Sequence, residues 1–127
     1  MKKLLLTTIL ILSSTLLPAQ FMRSYNRNIA SLQMVVNDEP FKPAVITLGS
    51  DDEINFSFDE LSHTYHRYTY RITHCNADWT QSELDAIDYL DGFNDRPIED
   101  WENSVNTTRL YTNYQFRLPN DDARLKV

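Results

Sequence analysis

The amino-acid sequence predicts an all-β protein, an immunoglobulin-like antiparallel β-sandwich that is incomplete at its C-terminus. Three stretches alternate apolar with polar side chains, which is the period of a strand that buries one face and exposes the other. Two further stretches are short, rich in β-branched residues and bounded by turn-forming residues. Sheets with one apolar face are stable when they pack together, so the pattern favours a sandwich.

Five strands are predicted in order along the chain. The β-branched stretches cover residues 29–36 and 44–48, and the alternating stretches cover residues 53–58, 67–73 and 113–118. Residues 37–40 and 50–52 are rich in Asn, Asp and Ser, whose side-chain oxygens satisfy backbone amides in turns. An immunoglobulin-like sandwich has about seven strands, so further strands are expected elsewhere.

The N-terminus has the three parts of a secretory signal peptide. Lys2 and Lys3 give a basic start, residues 4–17 form an apolar core, and Ala19 offers a small residue for cleavage. This core is shorter than the about 20 residues that a membrane-spanning helix needs, so a retained anchor is the lesser alternative. We therefore expect an exported protein that is not inserted in a membrane after cleavage.

The chain then divides into three segments by composition. We expect a signal peptide over residues 1–19, a flexible lead-in over residues 20–28, and an N-terminal β-sandwich domain over residues 29–127. A mature chain of this length allows one small domain.

The charge of the chain excludes two classes of partner. The sequence has 12 basic and 18 acidic residues, and loss of Lys2 and Lys3 with the signal peptide leaves a formal charge of −8. Such a domain repels phosphate backbones and anionic lipid headgroups. We therefore expect neither nucleic-acid binding nor charge-driven adhesion to a membrane.

Cys75 is the single cysteine of the sequence. One thiol has no internal disulfide partner. Free cysteine behaves most often as a small buried hydrophobe, and we predict that Cys75 lies in the core on a strand.

Residues 76–111 are too many for a plain loop in a compact domain. The segment is expected to contain a short helical turn near residues 82–86 and one or two irregular strands. It also carries Trp79, Tyr89, Phe93 and Trp101, which stand outside the alternating pattern. Clustered exposed aromatics anchor protein or sugar partners, whereas the alternative is that they fold back as a small core beneath the segment.

Metal binding and catalysis have little support in the sequence. His74 and Cys75 are neighbours on a predicted strand and point to opposite faces, so they do not join His63 and His66 in a zinc site. The acidic residues of the long segment lack the alternating aspartate loop of a calcium site, although an irregular site there remains the minor alternative. Neither a metal nor a cofactor is predicted.

No catalytic motif is present. The sequence lacks a glycine-flanked serine elbow and a histidine–glutamate zinc helix, and its two glycines, Gly49 and Gly92, are too few for a phosphate-binding loop. We therefore predict that the chain is not an enzyme.

Several blocks of sequence carry a resemblance to a known family. They are Ile46-Thr47-Leu48-Gly49-Ser50-Asp51-Asp52, Asn55-Phe56-Ser57-Phe58-Asp59-Glu60-Leu61, His74-Cys75-Asn76-Ala77-Asp78-Trp79, Tyr89-Leu90-Asp91-Gly92-Phe93 and Tyr111-Thr112-Asn113-Tyr114-Gln115-Phe116-Arg117-Leu118-Pro119-Asn120-Asp121-Asp122. In this order they resemble the plug protein family of the type 9 secretion system, an export machine of Bacteroidetes-like bacteria. The family continues past the turn at Asp121 and Asp122 into further domains, so the chain is expected to be an N-terminal fragment.

The resemblance implies a function without chemistry. Proteins of this family are implied to seal the periplasmic mouth of a large outer-membrane translocon barrel, which would then be the partner, at a periplasmic location within the outer-membrane secretion complex. Trp79, Tyr89, Asp91, Phe93 and Trp101 are the candidate partner contacts. The alternative is a carbohydrate-binding sandwich module of an exported polysaccharide-degrading protein, which the acidic charge and the Trp and Tyr residues fit equally well.

Overall fold

The computed structural model describes residues 22–121 and 123–126. Its elements in chain order are β1 (Ile29–Val36), β2 (Ile54–Glu60), β3 (Thr69–Tyr70), α1 (Ala86–Tyr89), β4 (Leu90–Asp91), β5 (Arg96–Pro97), β6 (Asp100–Asn103), β7 (Thr112–Leu118) and β8 (Arg124–Leu125). The predicted signal peptide and the first two residues of the lead-in, 1–21, lie outside the described residues. Residues 22–28 are exposed and precede the first strand.

Four strands form the main antiparallel sheet, in the order β1-β2-β7-β6. The register between β2 and β7 places Phe56 opposite Phe116 and Phe58 opposite Tyr114, so these aromatic side chains share one face. The neighbouring positions, such as Ser57 opposite Gln115, fall on the other face. One face of the sheet is therefore apolar and the other polar, as the alternation predicted.

Two short ribbons, β3 with β5 and β4 with β8, form a second layer over the apolar face. The Tyr70 ring stacks on Phe116 at 4.4 Å between centroids, and Phe116 stacks in turn on Phe56 at 4.8 Å. The core has two clusters of buried residues, one formed by Phe58, Ile98 and Tyr114 and the other by Leu90, Leu118 and Ala123. The predicted all-β sandwich is confirmed.

Three of the five predicted strands are confirmed as β1, β2 and β7. The prediction for residues 67–73 is only partly right, because hydrogen-bonded pairing is limited to Thr69–Tyr70. The alternation there nevertheless holds, since Tyr68, Tyr70 and Ile72 pack on the core while Thr69 and Arg71 are exposed.

The strand predicted over residues 44–48 is wrong, because this segment is a loop. Pro43 lacks an amide donor, and a tight turn follows it, in which the amide of Val45 donates to the carbonyl of Pro43 at 2.7 Å. The Asp52 carboxylate accepts hydrogen bonds from the amide of Thr47 at 3.0 Å and from the side chain of Asn37 at 2.6 Å. Local polar contacts thus replace a ladder, and Val45 remains exposed.

The long segment 76–111 contains a helical turn and three short strands, one more strand than the largest number predicted. The helix lies later than expected, at Ala86–Tyr89, because Asp88 accepts a hydrogen bond at 2.9 Å from the amide of Asp85 and so fixes the start there. Leu90 and Ile98 are buried and tie the segment to the two core clusters.

The prediction that Cys75 lies in the core is wrong. Cys75 is half-buried, and its side chain lies near the carbonyl of Thr73 at 3.8 Å. The chain leaves the second layer after Ile72 and forms a small excursion, closed by a bridge between Cys75 and Gln81. Cys75 sits at the base of this excursion, where its side chain does not join the buried clusters.

Candidate docking site

The five predicted contact residues do not form one cluster. Trp79, Phe93 and Trp101 are 55%, 80% and 41% exposed, whereas Tyr89 is half-buried and Asp91 is exposed on β4. Each of the exposed aromatics has a different neighbourhood, so the long segment displays separate aromatic positions.

Trp79 lies at the tip of the excursion that begins at Cys75. Its backbone has a positive φ of 65°, and its amide donates to the carbonyl of Asn76 at 2.9 Å. The hydroxyl and the amide of Thr80 both donate to Asp78, which lowers the pKa of that carboxyl. These local hydrogen bonds fix the turn and hold Trp79 in solvent.

Tyr89 is half-buried and packs against the second layer. Its hydroxyl donates to the carbonyl of Ile72 at 3.2 Å, and its ring packs beside His74 with 5.7 Å between centroids. Tyr89 also contacts the cluster that contains Leu90. The Tyr89 side chain therefore folds back onto the second layer.

Asp91 and Phe93 flank the turn at Gly92, where a φ of 112° requires glycine. In the β4–β8 ribbon the strand register places Asp91 opposite Arg124. The guanidinium carbon of Arg96 lies 5.7 Å from the centre of the Phe93 ring, a cation–π distance. Phe93 is thus exposed but held beside a cation.

Trp101 lies on the edge strand β6 and not in a loop. The register places it opposite Tyr114, on the apolar side of the sheet. Its ring lies 5.0 Å from the ring of Tyr65, which is 46% exposed. Trp101 and Tyr65 form an aromatic pair at the rim of the core, and we name this pair the aromatic shelf.

Tyr65 was missed in the sequence because it stands in a polar histidine-containing stretch without periodicity. The stretch is anchored on both sides of it. His66 donates from its backbone amide to the Tyr114 hydroxyl at 2.8 Å, and its ring contacts the buried Glu60 carboxylate at 2.8 Å. His63 contacts the carbonyl of Ser104 at 3.2 Å. The shelf is therefore held by hydrogen bonds at both ends of the loop.

The third histidine, His74, also makes a structural polar contact. His74 contacts the Ser82 hydroxyl at 2.8 Å. Among the described residues, no three His, Cys, Asp or Glu side chains come together in a way that could hold a metal ion.

Most of the excess negative charge of the protein lies in the segment with these aromatics. Residues 76–103 contain nine acidic side chains and one basic side chain, Arg96. On β6 the acidic Asp100 and Glu102 are both exposed and point to the polar side of the sheet, since they alternate with Trp101. The aromatic positions thus stand in a field of negative potential.

Within residues 22–121 and 123–126, no helix has the length and apolar character that crossing a membrane requires.

The protein is thus a two-layer β-sandwich whose acidic segment carries exposed aromatic side chains. A comparison with protein families identifies the family: residues 29–127 match the first domain of the type 9 secretion system plug protein. The chain belongs to this family, as the sequence blocks indicated, and it is associated with protein secretion.

A solved structure supports the assignment of the fold. The chain is similar to a hypothetical protein from Parabacteroides merdae ATCC 43184, with 45% sequence identity and a TM-score of 0.78. The match covers 80% of this chain and 26% of that protein, so the chain spans about a quarter of its length. A search of curated proteins finds no match.

Proposed function

We propose that the chain is the first domain of a plug component, which docks on the periplasmic side of the outer-membrane translocon and helps to close it when no substrate passes. The observation that carries the proposal is the family match over residues 29–127. In this role the protein acts by steric occlusion and performs no chemistry.

The exposed side chains fit docking better than catalysis. Trp79, Phe93 and the aromatic shelf supply apolar surface, and partly exposed aromatic residues are typical of protein interfaces. Their separation over the surface suits a broad contact with a large partner. We therefore propose Trp79, Phe93 and Trp101 as the contacts among the five candidates, with Asp91 as a charged neighbour and Tyr89 as a support.

The same proposal accounts for the N-terminus and the charge. Residues 1–19 act as a signal peptide that delivers the domain to the periplasm, followed by a lead-in and the domain at residues 29–127. The negative charge keeps the domain away from anionic lipid headgroups, so that it reaches the membrane through its protein partner.

Affinity purification from a gently solubilised cell envelope tests the proposal. We expect a tagged chain to recover the translocon protein, and we expect Trp79→Ala with Phe93→Ala to reduce the recovery. Leu84→Ala, which removes an exposed apolar side chain of the same segment, serves as a matched control. A tagged chain that never recovers the translocon would contradict the proposal.

A further inference from the structure

The open edge of β6 combines three features that a binding strand can use. β6 is one of the two edge strands of the main sheet, and among the described residues it pairs only with β7. Its sides differ in chemistry, with the aromatic shelf on one face and acidic side chains on the other. Hollows of about 330 Å³ and about 230 Å³ flank its two ends.

The hydrogen-bond pattern shows which backbone groups of β6 face outward. The amide of Ser104 donates to the carbonyl of Tyr111 at 2.9 Å, and the amide of Tyr111 donates to the Ser104 hydroxyl at 3.0 Å, so Ser104 faces β7 across the hairpin. In an antiparallel ladder the pairs alternate, and therefore Glu102 and Asp100 also face β7. The amides and carbonyls of Trp101 and Asn103 point away from β7, toward the open edge.

We propose that this edge binds an extended segment of another polypeptide by β-strand addition, and that the segment alternates basic with apolar residues. A strand added to β6 in antiparallel orientation extends the sheet, and its side chains alternate between the two faces. Residues opposite Asp100 and Glu102 meet carboxylates, whereas the residue between them meets the aromatic shelf.

The charges on β6 select the partner. Asp100 and Glu102 lie two residues apart, about 7 Å along a strand, which matches lysine or arginine at alternate positions of an extended chain. Neither carboxylate makes an ion pair within residues 22–121 and 123–126. Arg117, the basic residue on the same face of β7, is already paired with Glu53 at 2.8 Å. The acidic pair is therefore available to a basic partner.

A second copy of the chain fits this edge poorly. Pairing two β6 strands edge to edge would place acidic side chains of one copy opposite those of the other on the same face, and like charges across strands are destabilising. Charged residues on an edge strand commonly prevent self-association in this way. The same charges that oppose a second copy favour a basic strand.

The inference goes beyond the proposed function, because it names a surface and the chemistry of its ligand and does not require that the ligand belong to the translocon.

The probe is a short synthetic peptide with blocked ends in which lysine alternates with valine, titrated against the chain by fluorescence anisotropy. We expect binding that weakens on the order of tenfold or more in Asp100→Lys with Glu102→Lys. The control is Asp51→Lys with Glu83→Lys, which makes the same change of charge at exposed positions elsewhere and should bind as the wild type at fixed salt.

Backbone methylation of the peptide separates strand addition from simple charge attraction. The residues opposite Trp101 and Asn103 are the valines, so their amides face β6, whereas the lysine amides face solvent. We expect N-methylated valines to abolish binding and N-methylated lysines to retain it. Equal effects of the two methylated peptides, or no binding of the parent peptide, would overturn the inference.

The two proposals fail separately. A chain that carries Asp100→Lys with Glu102→Lys and still recovers the translocon would leave the proposed function intact and would show that the β6 edge is not the translocon contact. A wild-type chain that binds the peptide in the valine-amide pattern but never recovers the translocon would support the edge and contradict the proposed function.

Discussion

The stack of Tyr70 on Phe116 explains how strands of only two residues can attach the second layer to the main sheet. Substitution of Tyr70 tests this explanation. The ring lies parallel to Phe116 at an angle of 5°, and the Tyr70 hydroxyl accepts a hydrogen bond from the Asn120 side chain at 3.0 Å. Two variants separate these contributions. Tyr70→Phe keeps the ring and removes the hydroxyl, whereas Tyr70→Ala removes both.

The structure sets the size of each effect. The Asn120 amide also donates to the carbonyl of Arg117 at 2.8 Å, so it keeps a partner in Tyr70→Phe, and we expect a loss of about 1 kcal/mol in the free energy of unfolding. Tyr70 is half-buried, which places Tyr70→Ala at the low end of the range for aromatic truncation, about 3 kcal/mol. The ring itself therefore contributes about 2 kcal/mol.

Urea unfolding followed by tryptophan fluorescence measures both variants against the wild type. The midpoint should fall in the order wild type, Tyr70→Phe, Tyr70→Ala, with an unchanged slope if the transition remains two-state. Thr69→Ala, at the exposed neighbouring position, is the control and should change stability little. Equal losses for Tyr70→Phe and Tyr70→Ala would refute the claim that ring stacking joins the two layers.

Three further predictions follow from other parts of the chain. Hydrogen bonds, first from the amide of Thr47, lower the pKa of Asp52 to about 2. The carboxylate therefore adds stability that is fully present above pH 3.8 and is lost as pH falls through about 2. An NMR titration should give this pKa, and Asp52→Asn should flatten the pH dependence of stability in that range. Leu90→Ala should cost about 2–5 kcal/mol in chemical denaturation because the side chain is 2% exposed, whereas Leu84→Ala should be nearly neutral. A broad glycan array should show no binding that depends on Trp79, and a signal abolished by Trp79→Ala would instead favour a carbohydrate-binding module.

The main sheet could be predicted from the sequence because its signal is local. In β2 and β7 every second residue faces the core, and six consecutive residues, 53–58 and 113–118, carry the apolar–polar alternation in each. For the loop at residues 44–48 the local pattern gives the wrong prediction, because β-branched residues indicate a strand. The loop is instead held by the hydrogen bonds of Asp52 to Thr47 and to Asn37, which a local residue pattern does not show.

The second layer could be predicted only in part. Strands such as Leu90–Asp91 and Arg96–Pro97 have two residues each, too few to show a period. Their positions depend on tertiary contacts, for example the hydrogen bond at 2.9 Å from the amide of Ile98 to the carbonyl of Tyr68. A residue pattern within the segment does not contain this information.

The candidate site also combines features that a local sequence pattern predicts with features that only tertiary contacts determine. The sequence indicated Trp101 as an exposed aromatic residue, but it gave no sign that Trp101 lies on an edge strand beside Tyr65. Tyr65 and Trp101 are far apart in the chain, and the loop that carries Tyr65 is anchored by the tertiary contact between Glu60 and His66. Aromatic composition therefore predicted candidate contacts, while their grouping required the fold.

The most direct test of the central claim measures outer-membrane permeability to a large, membrane-impermeant dye in cells that lack this protein. A plug that closes the translocon predicts that deletion of the gene for this chain raises dye entry, and that deletion of the translocon gene in the same strain restores the barrier. Dye entry that stays at the wild-type level, or that rises equally whether or not the translocon is present, would contradict the account.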